Sequence, residues 1–336
     1  MGFAARRYAR RMTAPMPTIS NEDKLELLYW MKLTRAVDDR TEALFKQGKI
    51  PGVIFSQRGH EAIAVGAAYA LQELDVVAPM HRDLGAYLLR GMSPGRVFAQ
   101  AMARSGSPSR GRDANTHSFG DLSLGIIGYI SHLPQSMPLT VGAAFAFQYR
   151  GEPRVALTFT GDGASSEGAF SESLNLAAVL NLPAVFVLEN NRYAYSTPTR
   201  HQYAVSQLVQ RGDAFGIPGV SVQGNDVLAV WQAVTEAAAR ARSGAGPTLI
   251  EAHTMRMRGH AIHDPADYVP SQLLQEWKAR DPIITFSKSL RENAVLDNAV
   301  ETQMDARVRQ AVDEGVAWAE ASPLPEAETV TNGVYA

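Results

Sequence analysis

Apolar residues recur along the chain at two spacings. Leu25, Leu28, Tyr29, Leu33, Val37 and Leu44 follow helical spacing; Ser20 with Asp23 three residues on marks the N-cap and Gly48 the stop. Ala62 to Leu71 is so rich in alanine, valine and glycine that it predicts a helix packed on all sides. Shorter unbroken apolar runs predict buried parallel strands at Asp75 to Met80, Val155 to Phe159, Ala184 to Leu188 and Thr248 to Ala252. Helical spacing returns at Leu84 to Leu89 and, behind Pro138, at Leu139 to Phe147. It returns again at Ser171 to Leu180, where Leu174, Ala177, Ala178 and Val179 share one side. A further helix, Val227 to Arg242, is capped by Asn225 and ends in Arg240 and Arg242, which suit its negative end. Pro198 to Pro218 reads as a polar loop until Ala214. Beyond Ser271, the residues Leu273, Leu274, Trp277, Val308, Val312 and Trp318 predict a C-terminal helical layer, closed by Ser322 to Pro325.

Strands alternating with helices predict an α/β fold, a parallel sheet flanked by helices. No repeat, linker or compositional break interrupts residues 20–325, which predicts one domain between a basic tail, 1–19, and a C-terminal tail, 326–336.

The second and third strands carry the candidate chemistry. One ends in Gly161-Asp162-Gly163, the other in Glu189-Asn190-Asn191, so Asp162 and Asn191 finish neighbouring strands of one strand-helix-strand unit. Open α/β sheets bind ligands outside the carboxyl ends of their strands, where backbone amides and helix N-termini favour anions. Carboxylate and carboxamide oxygens are hard ligands for Mg²⁺ or Ca²⁺, which points to a metal-borne diphosphate. Gly-Asp-Gly alone fits a plain turn equally well. Arg82 in His81-Arg82-Asp83 stands at another strand end, and by itself it reads as an ion-pair partner of an acid such as Asp83. His260, His263 and Asp264 leave a transition-metal site open as a rival. Few large apolar side chains anchor Ala103 to His117, which predicts a moving loop around Ser105 to Gly111.

Composition narrows the partners. A net charge of −2 over 336 residues offers no electrostatic case for nucleic acid or an anionic membrane, and no apolar run reaches membrane-spanning length. Zero cysteines exclude disulfides, thiolate zinc sites and cysteine nucleophiles, and fit a reducing compartment, here read as cytoplasmic. Arg6, Arg7, Arg10 and Arg11 without an acid or an apolar core are no secretory signal. They read as a flexible tail or an upstream start, with Met12 and Met16 as alternatives, and a transit peptide stays open.

Gly-Asp-Gly, then residues 164–189, then Asn190-Asn191 resembles the signature of thiamine-diphosphate enzymes. The continuation to Tyr193, Tyr195 and Pro198, together with His81-Arg82 and Arg258-Gly-His260 before Asp264-Pro265, is similar to one family in particular. These are the α subunits of the decarboxylating component of 2-oxoacid dehydrogenase complexes, which act on pyruvate, branched-chain 2-oxoacids or acetoin. The resemblance implies the thiamin-diphosphate-binding fold, with thiamine diphosphate and Mg²⁺ as cofactors. It further implies that Asp162, Asn191 and the Tyr193 carbonyl bind the metal. His81, Arg82, Gly163, Ala164 and His260 would hold the diphosphate, His260 also being the candidate catalytic residue, while Ser131, Leu133 and Tyr195 would bracket the cofactor rings. The partners implied are a β subunit that supplies an activating glutamate in an assembly of two α and two β chains, and a lipoyl-bearing acyltransferase that accepts the acyl group. A cofactor-binding scaffold without turnover is the alternative of another class. Arg110-Gly-Arg112 and His117 resemble the loop at the mouth of the site, but Asp113 to Thr116 departs from the family pattern, and no chemistry is assigned there. His132 is also unusual for the family, and Ala261 replaces a regulatory serine. Glu189 is left out of the site because its carboxylate would repel a phosphate.

Overall fold

The computed structural model describes residues 18–114, 119–128 and 131–332, so His117 and most of the basic tail lie outside the described residues. The capping box at Ser20 is present, its Oγ accepting from Asp23 N at 3.0 Å while the Asp23 carboxylate accepts from Ser20 N at 3.0 Å. It opens helix α1 (Asn21–Lys46). Next come α2 (Glu61–Tyr69), every residue of which up to Ala68 is buried, β1 (Val76–Ala78), α3 (Leu84–Leu89) and α4 (Pro94–Ala101). Strand β1 is shorter than its apolar run, since Pro79 has no N–H to continue the ladder. Helix α5 (Ser136–Arg150) starts a turn earlier than the spacing suggests, with Pro138 in its first turn, where a missing N–H costs nothing.

Strand β2 (Ala156–Gly161), helix α6 (Gly168–Val179) and strand β3 (Ala184–Asn190) form the central unit. On α6, Leu174 and Ala177 are buried as expected, but Val179 is 68 % exposed, because at 3.6 residues per turn it stands on the opposite side of the helix from Ala177. A two-stranded ribbon, β4 (Tyr193–Ala194) with β5 (Thr197–Pro198), and helical turns at Leu208–Phe215 occupy what the sequence presents as loop. Strand β6 (Gly219–Gln223), helix α7 (Val227–Arg242) and strand β7 (Thr248–His253) follow. The cap of α7 is Asp226, whose carboxylate accepts from Leu228 N and Ala229 N at 3.0 and 3.1 Å. Asn225 instead bridges Thr254 and the Arg280 carbonyl.

All five main strands are parallel, in the order β1-β2-β3-β7-β6. Alternate side chains of the central strands feed two cores. Leu157, Phe159, Val185 and Val187 pack with α1, α2 and α7, while Ala156, Phe186 and Leu188 pack with α5 and α6. Helices α8 (Ser271–Lys278), α9 (Pro282–Glu292) and α10 (Asn298–Ala321) make the C-terminal layer. No helix among the described residues is long and apolar enough to cross a membrane. The loop at Ser105 is tied to this layer: Ser105 N donates to Pro323 O and Gly106 N to Ser322 Oγ, both at 2.9 Å. Backbone hydrogen bonds supply the anchorage that its side chains lack.

Helices α10 and α4 approach closely enough that a Cβ on Gly315 would sit 2.9 Å from Pro94 Cβ and 3.0 Å from Gly95 N. Gly315→Val is therefore expected to destabilise the fold by about 1–3 kcal/mol, the cost of overpacking, seen as a lower thermal midpoint. An unchanged midpoint would mean that the two helices separate freely.

Candidate active site

Four adjacent strands deliver side chains to one end of the sheet. His81 and Arg82 follow β1, Asp162 and Gly163 follow β2, and Asn191 follows β3. The segment after β7 runs out to His260. Pairing of Gly161 with Glu189 brings the ends of β2 and β3 level, so Asp162 and Asn191 finish neighbouring strands, as the sequence predicts.

Asp162 is 2 % exposed, and burial pushes its carboxyl up to about 6. Gln202 Nε2 donates to its Oδ2 at 3.1 Å, and no lysine or arginine among the described residues forms an ion pair with it. A buried acid left short of positive charge suits a cation. Next to it the strand end is open: a Cβ on Gly161 would meet nothing nearer than Met80 Cε at 3.9 Å. At Gly163, by contrast, a Cβ would lie 2.5 Å from Ala194 Cβ, so ribbon β4-β5 covers one side of the turn and only glycine fits beneath it. Ala164 is buried directly after it, and Tyr193, on the ribbon, is buried too.

Arg82 is 3 % exposed and does not spend itself on Asp83 as the sequence alone allows. Its guanidinium donates to the carbonyls of Ser56 at 2.8 Å and His260 at 2.5 Å, which ties the β1 end to the β7 loop. His260 is half-buried within an aromatic group, its ring 4.4 Å from Tyr195, 5.5 Å from Phe55 and 6.1 Å from His81. Burial first, then Arg82 and Arg256, holds its imidazole down to about 4, so it is neutral near pH 7 and keeps one N–H to donate. Asp264 accepts from His260 N at 2.6 Å and from the Tyr268 hydroxyl at 2.6 Å, and so braces this loop from within. That use removes Asp264 from the rival metal site, and no cluster of three His, Cys, Asp or Glu side chains among the described residues could hold a metal. Ser131 and His132 are exposed and Leu133 is half-buried against the larger core.

Sequence reasoning missed the buried layer beneath. Glu189 is 1 % exposed, with its Oε1 3.0 Å from His60 Nδ1. Burial raises Glu189 to about 8 and also raises Asp83, its hydrogen-bond neighbour. Met80 N donates to Asp83 Oδ2 at 2.7 Å, but Asp83 Oδ1 is buried with no donor among the described residues. Burial thus disfavours the charged form of Glu189, which weakens the ground for leaving it out. No sequence spacing relates residues 60, 83 and 189; the pairing of β1, β2 and β3 does.

Residues 29–328 match the family described as dehydrogenase E1 component. The chain is 36 % identical to the α subunit of acetoin:2,6-dichlorophenolindophenol oxidoreductase of Cupriavidus necator, over 97 % of this chain and 98 % of that one. It is 36 % identical to the α subunit of 2-oxoisovalerate dehydrogenase of Bacillus subtilis, over 95 % and 97 %. With the α subunit of the pyruvate dehydrogenase E1 component of Porphyra purpurea it shares 32 % identity over 98 % and 99 %.

Proposed function

The chain belongs to the dehydrogenase E1 component family, and from that premise we propose that it is the α subunit of a 2-oxoacid dehydrogenase. In this reading it binds thiamine diphosphate through Mg²⁺, and the acyl group of the decarboxylated substrate passes to a lipoyl carrier on an acyltransferase partner in the cytoplasm. The observation that carries it is that four contiguous strands bring Asp162, Asn191, Arg82 and the His260 segment to one end of the sheet, where Arg82 holds the His260 carbonyl.

The donor set fits the cofactor. Asp162, a buried carboxylate without an ion-pair partner among the described residues, supplies a hard oxygen ligand, and the Asn191 amide and the Tyr193 carbonyl complete the protein's share. Gly163 and Ala164 offer backbone N–H groups at the turn, and Arg82 offers a planar fork of donors to diphosphate oxygens. His81 and neutral His260 close the same end. The Tyr195 and Phe55 rings against His260 keep water off its flank, and Tyr195, Ser131 and Leu133 are left to meet the cofactor rings. When bound, thiamine diphosphate would supply the carbanion and the electron sink, which no side chain here could provide. Exposed Phe145 and Tyr149 on α5, with Leu176 and Val179 on α6, support the reading of this chain as one subunit of a larger assembly.

Arg82→Ala is expected to weaken cofactor binding by about 1.5–3 kcal/mol, with lysine rescuing only part, because a point charge does not reproduce the fork. Since Arg82 also holds the His260 carbonyl, residues 256–268 should become more accessible to protease in the same variant. Calorimetry and limited proteolysis read the two effects. Wild-type affinity in Arg82→Ala would leave Arg82 a brace for the loop and nothing more.

Acetoin oxidation is the second reading, favoured by the names of the Cupriavidus necator relative and a Bacillus subtilis one. The deciding experiment supplies the assembled enzyme with pyruvate, branched-chain 2-oxoacids and acetoin in turn and follows reduction of an artificial acceptor. Turnover of a 2-oxoacid supports the proposal, turnover of acetoin alone supports the second reading, and turnover of none overturns both.

A further inference from the structure

His60, at the start of α2, is 0 % exposed and has no task in the scheme above. Its Nδ1 lies 3.0 Å from Glu189 Oε1, and its Nε2 lies 3.4 Å from Asn191 Nδ2. An amide nitrogen has only hydrogens to offer, so Nε2 accepts from Asn191 and the ring proton sits on Nδ1, donating to Glu189. One tautomer satisfies both neighbours. On the far side of the amide, Tyr193 N donates to Asn191 Oδ1 at 3.4 Å. A flipped amide would set the Asn191 NH₂ against the Tyr193 N–H and its oxygen against the Nε2 lone pair, so both contacts select the same orientation. The amide oxygen, with a second lone pair to spare, is then the atom left for a cation.

Resting on the function proposed above, we infer that His60 is a positioning residue: fixed by Glu189, it locks the Asn191 amide with its oxygen, the ligating atom, turned to the metal. Partners one step removed from a ligand act in this way on metal affinity, and their loss typically costs ten- to a hundredfold. Leucine at position 60 fills similar space without an acceptor, and glutamine carries an acceptor and a donor on one side chain.

The test uses the chain assembled with its partner subunit, titrating Mg²⁺ calorimetrically with thiamine diphosphate present and recording thermal midpoints and kcat. His60→Leu should bind Mg²⁺ about ten- to a hundredfold more weakly, with kcat restored at saturating metal and cofactor and a midpoint close to wild type. His60→Gln should stay within about threefold of wild type, since it keeps the hydrogen-bonding pattern. Equal binding by wild type and both variants would reduce His60 to packing while sparing the functional reading. Loss in both variants in step with a fallen midpoint would likewise overturn the positioning role. A wild-type complex that binds neither Mg²⁺ nor the cofactor would bring down the functional reading and this inference together.

Discussion

If the proposed function holds, Asp162→Ala is expected to abolish Mg²⁺-dependent cofactor binding while leaving the fold standing. The residue follows β2 instead of packing within it, and its carboxylate accepts from Gln202. Deleting a direct ligand should cost at least the roughly hundredfold upper range found for groups behind a ligand. The same carboxyl sets a pH dependence. Burial raises it from 3.8 to about 6, so protons compete with the metal, and cofactor affinity should fall as the pH drops through 6 and level off above it. In the metal-free protein the sign reverses for stability: the folded state holds the proton more tightly than the unfolded one, so the group's contribution is lost as the pH rises through about 6. Metal-free wild type should therefore lose thermal stability between pH 5 and pH 8, and Asp162→Ala should lose less of it. Titration calorimetry with melting curves at the two pH values decides the matter. Unchanged affinity in the variant would remove Asp162 from the site.

The purified chain by itself should show no 2-oxoacid decarboxylation, and mixing with a β subunit should restore turnover together with a larger assembly. The candidate acids for activating a cofactor are occupied or misplaced in this chain. Glu61 is fully buried and accepts from Arg35 Nε at 2.5 Å and Gly59 N at 2.9 Å, Glu189 faces His60, and Glu167 is exposed ahead of α6. A ligand bound only by the assembled state stabilises that state by mass action, so cofactor should also sharpen assembly. Sedimentation and an acceptor-coupled assay, run with and without the partner, provide the comparison. Activity in the partner-free chain would place the activating acid within it.

Local chemistry makes much of this protein legible in one dimension. Unbroken apolar runs mark strands buried on both faces, and an acid or amide placed where such a run stops marks a strand-end site, which is why Asp162 and Asn191 stand out. The capping box at Ser20 and the bounds of α7 follow from interactions within a few residues. Asn225 and Asp226 are both capable caps by local chemistry, and only the distant demand of Thr254 and the Arg280 carbonyl on Asn225 separates them. Asp264 braces the His260 loop through partners only four residues away, but tertiary structure alone decided what Arg82 holds and which groups surround Glu189. Each depends on partners brought together by strand order, β1-β2-β3-β7, from positions up to 178 residues apart. A carboxyl's charge depends on its surroundings, and no spacing along the chain records that Asp83, Glu189 and His60 are buried against one another.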